Sequence, residues 1–178
     1  NEIIIPTFEI LDYISGLNLK VVYFSSGGTV YGNSNESISE GHTLGPVSYY
    51  GYSKLMIEEH ILMLNRISGL SYIILRPSNV YGKYQRIQSE QGFIAVASGK
   101  MIANQTIEIW GNGCTVRDYV DVSDVATAVI TILNENIENE IFNIGSGLGY
   151  SLLDVLGFLE KHLDRSAKVV FKKRKTYS

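Results

Sequence analysis

The sequence predicts an α/β fold built on a parallel sheet. Two short runs rich in β-branched and other apolar residues, at 20–25 (KVVYFS) and 71–75 (SYIIL), are typical of buried strands. An apolar helical stretch over residues 48–67 separates them. Strand, helix and strand at this spacing form a βαβ unit, so we expect parallel strands and a right-handed crossover.

Local patterns predict the other elements. Residues 6–16 favour a helix, with Pro6 tolerated in its first turn. The 48–67 helix has Ser48 as a candidate N-cap, and its apolar residues cover more than one stripe. We therefore expect it to be buried on two sides, against a sheet and a partner subunit. The remaining predicted elements are a polar loop (33–47), a helix (92–103), strands (106–110 and 120–122), a helix (123–133), a strand (140–144), a helix (151–162) and a strand (168–171).

Composition excludes several classes of function. A net charge of −3, from fifteen basic and eighteen acidic residues, offers no electrostatic basis for binding nucleic acid or an acidic membrane. Cys114 is the single cysteine, which excludes an intrachain disulfide and is typical of the cytoplasm. Three scattered histidines predict no metal site, and no apolar run reaches the length of a membrane span. Because the chain starts inside a helical pattern without Met, we expect an internal fragment.

A pair of side chains at the start of the long helix is the first candidate for catalysis. Tyr50 and Lys54 are four residues apart, so on a helix they share one face. An ammonium group close to a phenol favours the phenolate, which can act as a base near neutral pH. The chain has twelve tyrosines, and such a pair arises by chance in about one of two sequences of this kind. Taken alone, the pair leaves a non-catalytic interpretation open.

A glycine-rich stretch near the end of the chain offers a second candidate. Residues 145–149 (GSGLG) lie between a predicted strand and a predicted helix, as a dinucleotide-binding loop would. Their spacing differs from G-x-G-x-x-G, and no second βαβ unit with an acidic residue follows. The favoured interpretation is a tight turn from strand to helix. Residues 25–32 (SSGGTVYG), in contrast, form a pliable loop at the carboxyl end of a predicted parallel strand, where ligands bind in open α/β sheets.

Several motifs in a fixed order carry a resemblance. They are Phe24–Gly32 (FSSGGTVYG), Tyr50-x-x-x-Lys54, Arg76–Gly82 (RPSNVYG), Val116–Ala126 (VRDYVDVSDVA) and Phe142–Gly147 (FNIGSG). Together they resemble the NAD-dependent epimerase/dehydratase family of extended short-chain dehydrogenase/reductases, and the resemblance covers essentially the whole chain.

The resemblance implies a fold and a domain organisation. The chain would hold the C-terminal half of a Rossmann-like parallel sheet plus part of a smaller substrate-binding lobe. Residues 1–83 and 121–145 would complete the NAD-binding domain, and residues 84–120 and 146–178 would belong to the nucleotide-sugar lobe. The family's glycine-rich cofactor loop is not found in this chain, so NADP stays an alternative to NAD, and we expect the chain alone to be inactive.

The resemblance also implies a mechanism. Tyr50, as a phenolate, would take the proton of a sugar hydroxyl while hydride passes to the nicotinamide, and Lys54 would bind the nicotinamide ribose. The family usually has Ser or Thr at the position of Gly27. This chain departs from that pattern, and Ser26 or Thr29 would supply the hydroxyl instead, with Ser26 preferred.

The same loop bears on the type of reaction. Related dehydratases carry an Asp-Glu pair where this chain has Gly28 and Thr29, so dehydration is disfavoured, and a decarboxylase pattern with Glu at Thr29 is disfavoured likewise. A nucleotide-sugar epimerase of the UDP-hexose 4-epimerase type is the favoured activity. Two alternatives stay open: an NADPH-dependent reductase of a keto-sugar, which needs only the Tyr and the Lys, and a non-catalytic relative, suggested by Gly27.

Binding residues follow from the matched motifs. Asn79 would contact the substrate pyrophosphate, Arg117 would pair with a phosphate through its guanidinium fork, and Trp110 would line the base pocket. We expect a UDP-sugar substrate, a homodimer, and no nucleic acid or membrane partner. The residues expected to contact NAD are Ser25, Tyr50, Lys54, Pro77 and Ser78.

Overall fold

The computed structural model describes residues 2–34, 36–87 and 91–173. These residues form two compact units. Unit 1 comprises the described residues up to 78 together with 125–144, and unit 2 comprises 79–124 together with those from 145 onward. In chain order the elements are α1 (Ile4–Ser15), β1 (Lys20–Phe24), α2 (Gly27–Val30), α3 (Tyr49–Ser68), β2 (Ser71–Pro77), β3 (Asn79–Tyr81), α4 (Phe93–Ile102), β4 (Thr106–Trp110), β5 (Val116–Asp121), α5 (Val122–Asn134), β6 (Glu140–Ile144), β7 (Gly149–Ser151), α6 (Leu152–Leu163) and β8 (Lys168–Lys172).

The sheet of unit 1 has the order β1-β2-β6, and all of its strands are parallel. The predicted βαβ unit is therefore present as β1, α3 and β2. Because β2 is central, all of its residues from Tyr72 to Pro77 are buried. The prediction of a buried strand is wrong for β1, which is only half-buried since it lies at an edge of the described sheet.

Alternate residues of β2 point to opposite faces of the sheet, as the pleat requires. On one face Tyr72 and Ile74 pack with apolar residues of α1 and α3, such as Leu11 and Ile61. On the other face, Ile73 and Leu75 pack against Ile132 of α5, with Val129 and Phe142 around them. Unit 1 thus has a helix layer on each side of a central strand.

Helix α3 begins and ends as its sequence predicts. The Ser48 hydroxyl accepts a hydrogen bond from the Gly51 N–H at 3.1 Å, and Gly69 ends the helix in the left-handed conformation at φ 74°. Its inner face is buried in unit 1. Met56 and Met63 on another face are each 37% exposed. The second buried side, expected against a partner subunit, stays a prediction.

The described residues of unit 2 form two small sheets. Strand β5 pairs in parallel with β3 and antiparallel with β7, and β4 pairs in parallel with β8. Helices α4 and α6 cover the second sheet with a core that includes Met101, Ile109 and Leu156.

Three short elements differ from the sequence prediction. Strand β3 lies inside the RPSNVYG motif, and α2 occupies the middle of the expected 25–32 loop. The expected direct turn from strand to helix at 145–149 is wrong, because β7 intervenes and pairs with β5. Each element is three or four residues long, too short for a periodic pattern to be visible in the sequence.

None of the helices described here is both long enough and apolar enough to cross a membrane. The cytoplasmic location stays a prediction.

Candidate active site

Helix α3 places Tyr50 in its first turn and Lys54 one turn later. The Lys54 Nζ atom lies 5.8 Å from the centroid of the Tyr50 ring. Tyr50 is 56% exposed, so its phenol is accessible to a ligand. The two side chains lie on one side of the helix, as their spacing predicts.

Lys54 contacts two residues at the carboxyl end of β1. Its ammonium donates a hydrogen bond to the backbone carbonyl oxygen of Phe24 at 2.8 Å. Its Nζ atom also lies 5.1 Å from the centroid of the Tyr23 ring, so two phenol rings flank the cation. Burial lowers the pKa of Lys54, and the nearby Glu58 carboxylate acts in the opposite direction. Because one N–H donates to Phe24, two ammonium N–H groups remain for a ligand.

The segment that follows β1 supplies the candidate hydroxyl groups. Ser25 donates its backbone N–H to the carbonyl oxygen of Leu75 at 2.7 Å, while its buried side-chain oxygen has no hydrogen-bond partner among the described residues. Ser26 precedes α2, and its side chain makes no capping hydrogen bond there. The Thr29 hydroxyl donates to the Ser26 carbonyl oxygen at 3.4 Å. A buried, unpaired hydroxyl costs free energy, so Ser25 is suited to a polar ligand.

The resemblance leads to the expectation of Ser or Thr at position 27, but the structure has no room for a side chain at Gly27. A Cβ atom at this position would lie 2.7 Å from the carbonyl oxygen of Arg76 and 3.3 Å from that of Pro77. Gly51 is similar, since a Cβ there would lie 2.7 Å from the carbonyl oxygen of Thr29. These two glycines allow α2 to pack closely against both β2 and the start of α3.

The expected nicotinamide-contacting residues lie at the end of β2. Pro77 is buried and pairs with Ile144 of β6. Ser78 donates its backbone N–H to the carbonyl oxygen of Ile144 at 2.8 Å. That N–H is therefore used within the structure, and a ligand would have to meet other atoms of these two residues.

A buried polar network beside the Tyr50–Lys54 pair was missed by sequence reasoning. Glu58 is 0% exposed and Arg76 3% exposed, and Arg76 Nη2 lies 2.6 Å from Glu58 Oε2. Arg76 Nη1 donates to the Tyr31 hydroxyl at 2.7 Å, and that hydroxyl donates to Asn143 Oδ1 at 2.7 Å. Two signals could have found it: Glu58 follows Lys54 by four residues on the same helix, and Arg76 is the single charged residue in an apolar strand.

The predicted substrate-binding residues belong to unit 2. Asn79 is half-buried and donates from Nδ2 to the carbonyl oxygen of Asp118 at 2.9 Å. Arg117 is exposed, and its side chain forms no ion pair with the described residues. The side-chain hydrogen bond seen among these residues is a long one, from Nη1 to the Val116 carbonyl oxygen at 3.4 Å. Trp110, at the end of β4, is 55% exposed. Arg117 therefore presents most of its donors to solvent, whereas part of the Asn79 amide is already used.

The glycine-rich stretch at 145–149 is organised by a carboxylate. Asp118 Oδ1 accepts hydrogen bonds from the backbone N–H and the hydroxyl of Ser146, both at 2.9 Å. Its other oxygen accepts from the Gly147 N–H at 2.8 Å. Because these N–H groups already bind an anion from the protein itself, the arrangement favours a structural loop over a phosphate site.

This chain is similar in sequence to a protein family and to several curated proteins. The family model for the NAD dependent epimerase/dehydratase family matches residues 2–145. A putative UDP-glucose 4-epimerase of Methanocaldococcus jannaschii is 38% identical over 172 residues, covering 96% of this chain and 56% of the relative. The dTDP-4-dehydro-6-deoxyglucose reductase of Escherichia coli is 37% identical over 152 residues, covering 85% and 48%. The chain spans about half the length of the curated relatives it matches.

Two solved structures of epimerases are similar to this chain in fold. The UDP-glucose 4-epimerase of Thermotoga maritima, crystallised with UDP-glucose, has a TM-score of 0.90 at 31% identity, covering 97% of this chain and 57% of the other. The UDP-glucose 4-epimerase of Thermus thermophilus, in complex with NAD, has a TM-score of 0.87 at 27% identity and the same coverage.

Proposed function

Since the chain belongs to the NAD dependent epimerase/dehydratase family, we propose that the whole protein is a nucleotide-sugar 4-epimerase, of the UDP-hexose type. The family and the Rossmann-like α/β fold expected from the motifs are confirmed, and the family's cofactor is NAD. The observation that carries the proposal is the Tyr50–Lys54 pair, in which an accessible phenol lies beside an anchored ammonium.

The residues of unit 1 are suited to the cofactor. When bound, NAD supplies an acceptor for hydride that can return it to the other face of the sugar. Lys54 has two N–H donors left for ribose hydroxyls, and Ser25 has a buried hydroxyl without a partner in the described structure. Pro77 and Ser78 complete the proposed cofactor-binding set, together with Tyr50.

Tyr50 is the proposed acid and base. It accepts the proton of the sugar hydroxyl as that carbon is oxidised, and it returns the proton when the keto-sugar is reduced. The Lys54 ammonium lies 5.8 Å from the centroid of the Tyr50 ring, close to the oxygen that would take up and return the proton.

A hydroxyl group on α2 or just before it is the proposed hydrogen-bond partner of the same sugar oxygen. Gly27 has no side chain and no room for one. Ser26 is preferred over Thr29, because the Thr29 hydroxyl lies within hydrogen-bond distance of a carbonyl oxygen whereas Ser26 makes no capping bond.

Unit 2 is the proposed nucleotide-sugar lobe, and unit 1 the proposed cofactor domain, close to the boundaries predicted at residues 83, 121 and 145. Arg117 would bind a phosphate of the substrate, because its guanidinium is exposed and without an ion pair among the described residues. Asn79 and Trp110 would contact the pyrophosphate and the base.

The test is epimerisation by the whole protein. NMR of UDP-galactose incubated with catalytic amounts of the protein should show UDP-glucose forming without net production of NADH. Tyr50→Phe should lower kcat by about three orders of magnitude or more, because general base catalysis and the phenolate charge are lost together. Tyr49→Phe is the matched control, since Tyr49 is 99% exposed on the adjacent position. Equal activity of Tyr50→Phe and Tyr49→Phe would contradict the role of acid and base proposed for Tyr50, and no turnover by the wild type in this assay or in the reductase assay would favour the non-catalytic alternative.

A keto-sugar reductase is the second candidate, and the 37% identity to a bacterial dTDP-4-dehydro-6-deoxyglucose reductase favours it. It uses the same Tyr50 and Lys54. Stoichiometric oxidation of NADPH with a nucleotide 4-keto-sugar, together with no epimerisation, would replace the first proposal by this one. The 178-residue chain alone should be inactive in both assays, and tight NAD binding by it would contradict that expectation.

Homodimerisation is proposed from an apolar groove of about 370 Å³ on the outer faces of α1 and α3. Replacing Met56 with Glu in the whole protein should convert dimer to monomer in light scattering, since a charge would be buried without a partner. A monomeric wild type would remove this proposal. The groove is lined by Phe8, Tyr52, Leu55, Met56, Glu59, His60 and Met63.

A further inference from the structure

The buried ion pair of Glu58 and Arg76 lies one helical turn beyond Lys54 on α3. We propose that these two residues are positioning residues for the active site: they fix α3 against the segment from Ser25 to Gly32, and the Glu58 carboxylate acts on the Lys54 ammonium from one turn further along the same helix. The proposal rests on the proposed function, because it concerns the same tyrosine and lysine.

Geometry supports the first part of the proposal. The Arg76 guanidinium binds both carboxylate oxygens of Glu58, with Nε 3.2 Å from each and Nη2 2.6 Å from Oε2. Its third nitrogen donates to the Tyr31 hydroxyl at 2.7 Å, and its carbon lies 5.0 Å from the centroid of that ring. Tyr31 directly follows α2, so one side chain joins α3 to the segment that carries Ser26 and Thr29.

The backbone of Arg76 makes a second contact with the same segment. Its carbonyl oxygen would lie only 2.7 Å from a Cβ atom placed on Gly27. Asn143 extends the network to β6, since its Oδ1 accepts from Tyr31 and its backbone N–H donates to Glu40 Oε1 at 2.8 Å. The position of α2 relative to α3 therefore depends on Arg76 through both its side chain and its main chain.

Electrostatics support the second part. The groups that face Lys54 are Tyr23 from β1, and Tyr50 and Glu58 from α3 itself. Burial lowers the pKa of Lys54, and Glu58 is the group that raises it. Burial raises the pKa of Tyr23, and the charges of Glu58 and Tyr50 raise it further, so that ring stays neutral beside the ammonium.

Arg76 pairs with Glu58 at a place where both side chains are buried. Burial alone disfavours the Arg76 charge, yet hydrogen bonds to Glu58 and Tyr31 outweigh it and raise the pKa of Arg76. Among the described residues, the titratable groups that act on Glu58 are thus Arg76 from β2, Tyr23 from β1 and Lys54 from its own helix. A carboxylate whose partner already satisfies its hydrogen bonds still exerts its charge on Lys54.

If the ion pair were only structural, replacing both of its residues together would leave kcat and the Lys54 titration unchanged. Apolar residues of similar volume often replace a buried pair without loss of stability, whereas removing one partner leaves an uncompensated buried charge. The informative variant is therefore the double substitution Glu58→Met with Arg76→Met, made in the whole protein. Its matched control is Lys20→Met with Glu138→Met, which removes an ion pair of 3.2 Å elsewhere in unit 1.

Two measurements test the double variant. The kcat for epimerisation should fall about 100-fold with little change in KM, because reacting groups are displaced while substrate binding is kept. The titration of Lys54, followed by NMR of isotopically labelled lysine side chains, should move to lower pH, since the charge that opposes desolvation is gone. The control double variant should change neither. A folded Glu58→Met, Arg76→Met protein with the wild-type kcat and the wild-type Lys54 titration would overturn the proposal.

Tyr31→Phe tests the positioning of α3 separately from the effect of the Glu58 charge on Lys54. It also provides the test of the positioning role if the double variant does not fold. It removes the hydrogen bond from Arg76 to the Tyr31 hydroxyl and the one from that hydroxyl to Asn143, and it keeps the ion pair, so kcat should fall while the Lys54 titration stays unchanged. An unchanged kcat in Tyr31→Phe would overturn the positioning role. The proposed function fails separately: Tyr50→Phe with wild-type activity rejects it, whereas the shift of the Lys54 titration can still be observed.

Discussion

Gly51 provides a sharp test of how the active-site elements pack. It lies in the first turn of α3, between Tyr50 and the rest of the Tyr-Lys motif, and a Cβ there would be 2.7 Å from the Thr29 carbonyl oxygen and 3.0 Å from Pro46 Cβ. Real Cβ atoms essentially never approach a backbone oxygen so closely, so Gly51→Ala must displace α3 or the segment containing Thr29.

The magnitude follows from two opposing effects. Alanine is favoured over glycine inside a helix by about 1 kcal/mol. Overpacking a well-packed site costs about 1–3 kcal/mol. Gly157 in α6 isolates the first effect, because it is exposed and a Cβ atom added there would have no neighbour within 4 Å. Gly157→Ala should therefore stabilise its unit by about 1 kcal/mol, and the difference between the two substitutions should equal the overpacking cost alone.

Urea unfolding measures this difference. Far-UV circular dichroism follows the whole chain, and the single tryptophan, Trp110 in β4, reports on unit 2 by fluorescence. Gly157→Ala should raise the midpoint seen by fluorescence, whereas Gly51→Ala should lower the midpoint seen by circular dichroism. If Gly51→Ala is stabilised as much as Gly157→Ala, the close packing of α3 against Thr29 is wrong.

Three further predictions concern the same region. Gly27→Ser, which restores the family's usual hydroxyl, should lower rather than raise kcat of the whole protein, because its Cβ would meet the Arg76 carbonyl oxygen at 2.7 Å; higher activity would show that the site has room. Tyr23→Phe should leave the free energy of unfolding unchanged or raise it, since the buried hydroxyl has no partner among the described residues, and a loss of about 1 kcal/mol or more in urea unfolding would reveal a hydrogen bond to that hydroxyl. Ser48→Ala should cost about 1 kcal/mol in the same assay, because the N-cap bond to the Gly51 N–H is lost, and an unaltered midpoint would mean that the cap contributes nothing.

Much of the fold could be predicted because its signals are local. The apolar runs of β1 and β2, the period of α3 and the cap at Ser48 each lie within a few neighbouring residues, and the predicted bounds of these three elements differ from the observed ones by one or two residues. Short elements such as β3 and β7 were not predicted, since three residues carry no period and their pairing with β5 joins distant parts of the chain.

Some features of the candidate site could likewise be predicted from the sequence, and others could not. The helical period alone puts Tyr50 and Lys54 on one face, so their proximity of 5.8 Å between ring centroid and Nζ is foreseeable. The sequence offered Ser26 and Thr29 as replacements for the hydroxyl missing at Gly27, with Ser26 preferred, but it gave no view of their hydrogen bonds. The lack of room at Gly27, the unpaired hydroxyl of Ser25 and the exposed guanidinium of Arg117 became visible only in three dimensions, within the described part of the chain.

By itself, the amino-acid order determined the α/β class, the parallel direction of the main strands and the membership of a family, because periodicity and motif spacing are properties of neighbouring residues. The tertiary structure alone decided that Glu58 meets Arg76, that Lys54 binds the Phe24 carbonyl, and which glycines tolerate a side chain. The physical reason is that burial and close contact depend on how segments distant in the chain pack together, and an ion pair or a steric limit exists only after that packing has formed.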